Sequence, residues 1–243
     1  MRATATDLMK DGRSHWASYG DVVYDRVRDS YDRVAERYLE EIGGELAGKP
    51  LDRALLRCLI ELVADVEETT GTGAVADLGS GPGHVAAYLA AQGLTTIAID
   101  ISPAMIEVGR RRFPDVGFRV GSMLALPATD GEMAGAIAFY SIIHLEPEDR
   151  STAYREMARV IRPDGWLLLA FHTGRVGHPD GEVMHADEWW GERVDLDFYY
   201  LDPAGVTAGL AAAGFTVMAR TDREPWPGGE HESRRTYLLC RRN

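Results

Sequence analysis

Apolar residues in the first third of the chain recur at three- and four-residue spacing. They fall at Tyr31, Val34, Tyr38, Leu39, Ile42 and Leu46, then at Leu55, Leu56, Leu59, Ile60, Leu62, Val63 and Val66. A repeat near 3.6 gathers such positions on one face, so two amphipathic helices are expected there. Upstream, residues 1–30 have no clean period yet carry His15, Trp16, Tyr19 and Tyr24, which reads as a lid or short helices. After Gly71-Thr72-Gly73 the pattern changes to short apolar runs that alternate with helical spacing. Strands are expected at 74–78, 95–100, 117–121, 134–141, 166–171, 215–220 and 236–241. Helices are expected at 84–92, 104–113 and 147–161, and from Asp202-Pro203 to Gly214. Such alternation builds an α/β fold whose mostly parallel sheet is covered by helices on both faces.

Composition adds limits. With 45% hydrophobic and 26% charged residues the chain has a globular balance, and 243 residues suit one domain. We take 1–243 as a single domain, with a helical cap over 1–70, a core over 71–243 and an insertion covering the substrate at about 174–201. A net charge of -12 repels phosphate backbones and anionic lipid. Neither nucleic acid nor membrane is therefore expected as a partner, and the expected state is monomer or homodimer. Cys58 and Cys240 are far apart and lack metal-ligand spacing. With no apolar leader or span, a cytoplasmic location is expected.

The most informative segment is Asp77-Leu78-Gly79-Ser80-Gly81-Pro82-Gly83, where the first strand turns into its helix. Glycines there admit a ligand close to the backbone. A dinucleotide loop spaces its glycines G-x-G-x-x-G, whereas this one reads G-x-G-x-G. Asp77 opposes a diphosphate but suits a ligand carrying an ammonium and a sulfonium, which favours S-adenosylmethionine over a nicotinamide dinucleotide. Asp100, ending the second strand, stands where a carboxylate accepts hydrogen bonds from a ribose.

These residues, with A-I-D-I-S-P-A-M-I, F-Y-S-I-I-H-L and R-V-I-R-P-D-G-W-L-L-L-A-F, make residues 74–220 resemble the class I S-adenosylmethionine-dependent methyltransferases of small-molecule type. The resemblance implies a Rossmann-like seven-stranded sheet with its last strand antiparallel. It also implies a cofactor across the carboxyl ends of strands one to four, with S-adenosylhomocysteine as product. By this likeness Gly79, Ser80, Gly81 and Gly83 pass the methionine part, Asp77 and Asp100 supply carboxylates, and Ile101 and Met105 flank the adenine. Ser122 and Met123 stand where many relatives place an aspartate, a departure in which Ser122 still offers a hydrogen bond. Tyr140 and Ser141 border the cofactor, and Tyr31 or Tyr38 reaches its carboxylate or simply packs in the core.

Methyl transfer needs alignment, exclusion of water and removal of a proton. His144, after the fourth strand, is the first candidate base and His172 the second, since imidazole titrates near neutrality; shaping the pocket is the alternative role for His144. Trp16, Tyr19, Tyr24, Trp189 and Tyr199, together with His144, are candidate acceptor contacts that suit a planar or apolar small molecule. His178, Asp180, Glu182 and His185 match no ligand spacing, so a polar loop and no metal are expected. A catalytically silent cofactor-binding module and an NAD-dependent oxidoreductase are the competing readings.

Overall fold

The computed structural model describes residues 19–70, 73–175, 179–227 and 230–243. Helices α1 (Tyr19–Ile42) and α2 (Pro50–Thr70) precede the first strand. The core then alternates: β1 (Ala74–Leu78), α3 (His84–Ala90), β2 (Thr96–Asp100), α4 (Pro103–Arg112), β3 (Gly117–Val120), β4 (Met133–Phe139), α5 (Arg150–Val160) and β5 (Ile161–His172). A hairpin of β6 (Val183–Trp189) and β7 (Glu192–Tyr199) follows, then α6 (Pro203–Ala212), β8 (Phe215–Arg223) and β9 (Arg235–Arg242).

The main sheet runs β3-β2-β1-β4-β5-β9-β8, parallel from β3 to β5, with β9 antiparallel to both its neighbours. This is the Rossmann-like sheet expected. Strands covered on both faces read as continuous apolar runs, and β4 is buried from Met133 to Ala138. Between β1 and β4 the strand order reverses, opening a crevice at the carboxyl ends where ligands bind in such sheets. Among the described residues, no helix is long and apolar enough to cross a membrane.

Three elements differ from the expected pattern. Helix α1 begins at Tyr19, twelve residues before the expected Tyr31 start, because its buried stripe (Val23, Val27, Ser30, Val34) has a polar member that masks the period. Ser30 is satisfied there: its hydroxyl donates to the Arg26 carbonyl at 2.8 Å and accepts from the Asp195 amide at 2.8 Å. Strand β5 begins at Ile161 rather than 166, since Pro163-Asp164-Gly165 forms an irregularity in the pairing with β4, with Asp164 at φ 64°. The stretch expected as a polar loop is a turn at 179–182 but then enters the β6–β7 hairpin at Val183. The hairpin's two-residue turn places Trp190 and Gly191 at positive φ (53° and 85°), the geometry that closes tight hairpins.

The hairpin lies against α1. Arg26 pairs with Asp195 at 2.5 Å and Asp197 at 3.5 Å. The polar residues of the insertion are spent on this architecture: His185 bonds Asp197 at 2.8 Å, and Asp180 accepts from the Gly174 amide at 2.6 Å. His178 and Trp16 lie outside the described residues, and Tyr19 is described only as the head of α1.

Candidate active site

The loop after β1 is folded back onto β2. Amides of Gly79 and Ser80 donate to the Ile99 carbonyl (2.8 and 3.1 Å), and the Gly81 amide donates to Asp100 Oδ2 at 2.7 Å. Asp100 Oδ1 accepts from the Ser102 amide at 2.8 Å, at the start of α4. Gly79, Gly81 and Gly83 all take positive φ (68°, 54° and 78°). At Gly79 a Cβ would lie 2.4 Å from that of Ser141, so glycine is required by close approach as well as by conformation. Burial raises the Asp100 carboxyl to about 6 and the Asp77 carboxyl to about 7, opposed by the amides of Ser102 and Gly81 at Asp100 and by His84 and the Ala86 amide at Asp77.

Of these residues Gly79, Gly81, Ile99 and Asp100 wall an inner cavity of about 740 Å³, including its open mouth, that also receives Ile101, Ser122, Met123, Tyr140, Ser141, Tyr24, Tyr31, Tyr38 and His144. Among its lining residues is a hydrogen-bonded pair. Tyr31 Oη lies 2.7 Å from His144 Nε2, and His144 Nδ1 lies 2.9 Å from the Asp197 carbonyl of β7. A carbonyl only accepts, so Nδ1 carries the proton and Nε2 presents its lone pair to the tyrosine hydroxyl. Burial lowers the His144 pKa to about 4, which keeps the ring neutral at physiological pH.

A larger outer cleft, about 2080 Å³ including its open mouth, adjoins this cavity and shares Tyr31, Tyr38, Gly79, Phe139 and Tyr140 with it. Trp189, Phe198 and Tyr199 of the hairpin form one wall. Trp189 stacks on Trp190 at 4.5 Å and meets Tyr31 and Tyr38 edge-on at 6.1 and 5.9 Å. On the opposite side His172 stacks on Tyr140 at 4.7 Å and shares a 2.7 Å hydrogen bond with Ser233. Burial, then the charges of Arg235, His231 and Lys49, hold His172 well below its usual pKa.

Comparison with known proteins decides what this crevice is part of. A family model described as a methyltransferase domain matches residues 75–165. Over residues 75–165 the chain is similar to methyltransferase domains. A demethylmenaquinone methyltransferase of Renibacterium salmoninarum is 30% identical over 146 residues, covering 60% of this chain and 58% of that one. A ubiquinone/menaquinone biosynthesis C-methyltransferase of Citrifermentans bemidjiense is 28% identical over 61% of this chain and 64% of its own length. The chain thus spans a little under two thirds of the curated relatives it matches. In fold it is similar to the protein of a DhpI-SAM-HEP complex (TM-score 0.66, 19% identity, 93% of this chain and 100% of that one). A SAM-dependent methyltransferase from Methanosarcina mazei gives TM-score 0.63 at 17% identity over 70% of this chain and 92% of that one.

Within that segment and its flanks, most residues singled out by sequence converge, and some take other places. Gly79, Gly81, Asp100, Ile101, Ser122, Met123, Tyr140 and Ser141 line the inner cavity. Gly83 does not: it caps α3, and a Cβ on it would lie 2.8 Å from the Phe118 ring. Met105 is fully buried in the cluster with Val34 and Ala35 rather than lining the cavity. Asp77 and Ser80 face the outer cleft, and Asp77 Oδ2 accepts from the Ala86 amide at 3.0 Å, anchoring α3. Tyr24, expected on the acceptor, lines the inner cavity and donates to Asp149 at 2.8 Å. Tyr199 borders the cleft with its hydroxyl donating to Glu146 at 2.6 Å. Sequence reasoning missed Lys49, His231 and Arg235, which line the cleft from three separate segments.

Proposed function

We propose that the chain transfers the methyl group of S-adenosylmethionine to a small molecule with an aromatic or apolar body, held in the outer cleft. The observation that carries this is the Tyr31–His144 pair: His144 lines the inner cavity, and Tyr31, hydrogen-bonded to it, lines both that cavity and the cleft. The residues present fit the cofactor. At Gly81 a built Cβ meets nothing nearer than 3.5 Å, so the loop leaves room above its backbone, and the buried Asp100 carboxylate lines the same space. Asp100 would take the ribose hydroxyls, Ile101 and Met123 the faces of the adenine, Ser122 its edge, and Gly79 and Gly81 the methionine part.

When bound, the cofactor supplies an electrophilic methyl carbon on a positively charged sulfur. The chain's own part is alignment and proton removal. Trp189, Phe198 and Tyr199 hold the acceptor and exclude water. With the cofactor bound, the methyl carbon would exchange its bond to sulfur for one to the acceptor, leaving the neutral thioether S-adenosylhomocysteine, and the acceptor's proton would pass to the Tyr31 oxygen while the phenolic proton passed to His144 Nε2. The imidazolium so formed keeps its Nδ1–H bond to the Asp197 carbonyl. His172 lines only the cleft, away from the inner cavity, and takes a wall position instead. The open cleft also speaks against a silent cofactor-binding module, for which a sealed acceptor site is expected.

Replacing His144 by Gln, or Tyr31 by Phe, is expected to lower kcat about 10²- to 10⁴-fold while S-adenosylhomocysteine affinity stays within a few-fold. A mass-spectrometric screen of phenols, quinols and aryl amines supplies the acceptor for this assay. Full activity in both variants would discard the relay.

A further inference from the structure

The sheet rim beside the outer cleft gathers basic side chains with unequal counter-charges. His172, Arg235 and Arg223 are register partners across β5, β9 and β8, so the pleat places all three on one face at one level. His231 approaches within 5.5 Å of His172, and Lys49 Nζ lies 5.2 Å from the centre of the Tyr140 ring. Arg223 is gripped by Glu230 through two hydrogen bonds of 2.6 and 2.8 Å, and Lys49 by Glu45 at 2.6 Å.

Arg235 is held more loosely. Only 2% exposed, it reaches the already committed Glu230 at 3.4 Å. Its terminal nitrogens donate to the neutral carbonyls of Ser233 (2.7 Å) and His231 (3.1 Å), and its Nε–H has no hydrogen-bond partner. Other acids at the cleft are engaged elsewhere: Glu41 pairs with Arg37 at 2.5 Å, and Glu188 accepts from the Gly191 amide at 3.0 Å. Asp52, also buried, lies 3.5 Å from Arg223, so Arg235 shares Glu230 at longer range and keeps an unpaired Nε–H; an anion entering from the cleft supplies the missing partner.

We propose that Arg235, assisted by Lys49, His172 and His231, recognises an anionic group on the methyl acceptor, a carboxylate or a phosphoryl group, while Trp189 and Phe198 hold its apolar body. This rests on the reading of the outer cleft as the acceptor site. It makes the acceptor amphipathic, with the charged end at the β5–β9 rim and the methylated atom at Tyr31.

Calorimetry on the protein saturated with S-adenosylhomocysteine tests it, using phenylacetate, phenyl phosphate and the neutral phenylacetamide as probes. The expected result is that at least one anion binds ten-fold or more tightly than the amide, the tighter of the two identifying the group. Arg235→Gln is expected to bring the anions down to the amide's affinity, and Arg235→Lys to restore part of the difference. In the wild-type protein, raising KCl from 50 to about 300 mM should weaken the anions several-fold and leave the amide unchanged, a readout that needs no variant. Equal binding of all three probes, a preference that survives Arg235→Gln, or an affinity indifferent to salt overturns the proposal while leaving the cleft as the acceptor site. Failure of every probe to bind overturns both.

Discussion

Asp100 shows how a residue's surroundings turn an ordinary carboxyl into a sensor of the ligand. Burial beside the Gly81 loop raises it to about 6, so in the absence of ligand a fall in pH through that value protonates the group. A protonated carboxyl loses acceptor capacity toward ribose hydroxyls. The affinity for S-adenosylmethionine is therefore expected to fall toward ten-fold per pH unit below about 6, as measured by calorimetry between pH 7.5 and 5. Asp100→Asn is expected to weaken binding about 10- to 100-fold at pH 7.5, the loss of hydrogen bonds to a charged acceptor, and to flatten the curve below pH 6. A slope that survives the substitution would assign the titration to another group. His144 works in the opposite sense: burial lowers it to about 4, so its Nε2 lone pair persists across the same range and contributes no acid limb above pH 5.

At the scale of elements, the site depends on one contact between α1 and the β6–β7 hairpin. The hairpin supplies the Asp197 carbonyl that fixes the His144 tautomer, and α1 supplies Tyr31. The two are tied by Ser30, fully buried, whose hydroxyl receives the Asp195 amide at 2.8 Å. Ser30→Ala leaves that amide without its partner at a cost of about 1–3 kcal/mol. Hydrogen exchange across Glu192–Tyr199 is expected to quicken, and kcat to fall with S-adenosylhomocysteine affinity nearly unchanged. Unchanged exchange would show that the ion pairs of Arg26 suffice to dock the hairpin.

For the molecule as a whole, the cofactor is expected to bind the folded chain alone and so to stabilise it. Saturation at about 100 times Kd contributes about 2.7 kcal/mol, which for a chain of this size raises Tm by about 5–10 °C. A thermal shift with S-adenosylhomocysteine but none with NAD checks this. A shift with NAD alone would overturn the choice made from the glycine spacing.

The core's order of strands and helices was legible because parallel strands buried on both faces leave apolar runs, unbroken by a charged residue at 133–139, and because glycine and proline mark where each run ends. The loop Gly79 to Gly83 and the distal Asp100 were legible for the same local reason: backbone conformation and strand ends are written within a few residues. The N-terminal reach of α1 was hidden by Ser30, a polar residue whose burial is licensed only by a hydrogen bond to β7, 165 residues away. The separate tasks of Gly83, Met105 and Asp77 also needed the fold, since glycine, methionine and aspartate serve packing and ligands alike. Above all, the sequence marked Tyr31, His144 and His172 as candidates, but only the tertiary structure brought Tyr31 to His144 and Arg235 to His172. Those pairings join segments far apart in the chain, and no local period or spacing encodes a contact made across the sheet's carboxyl edge.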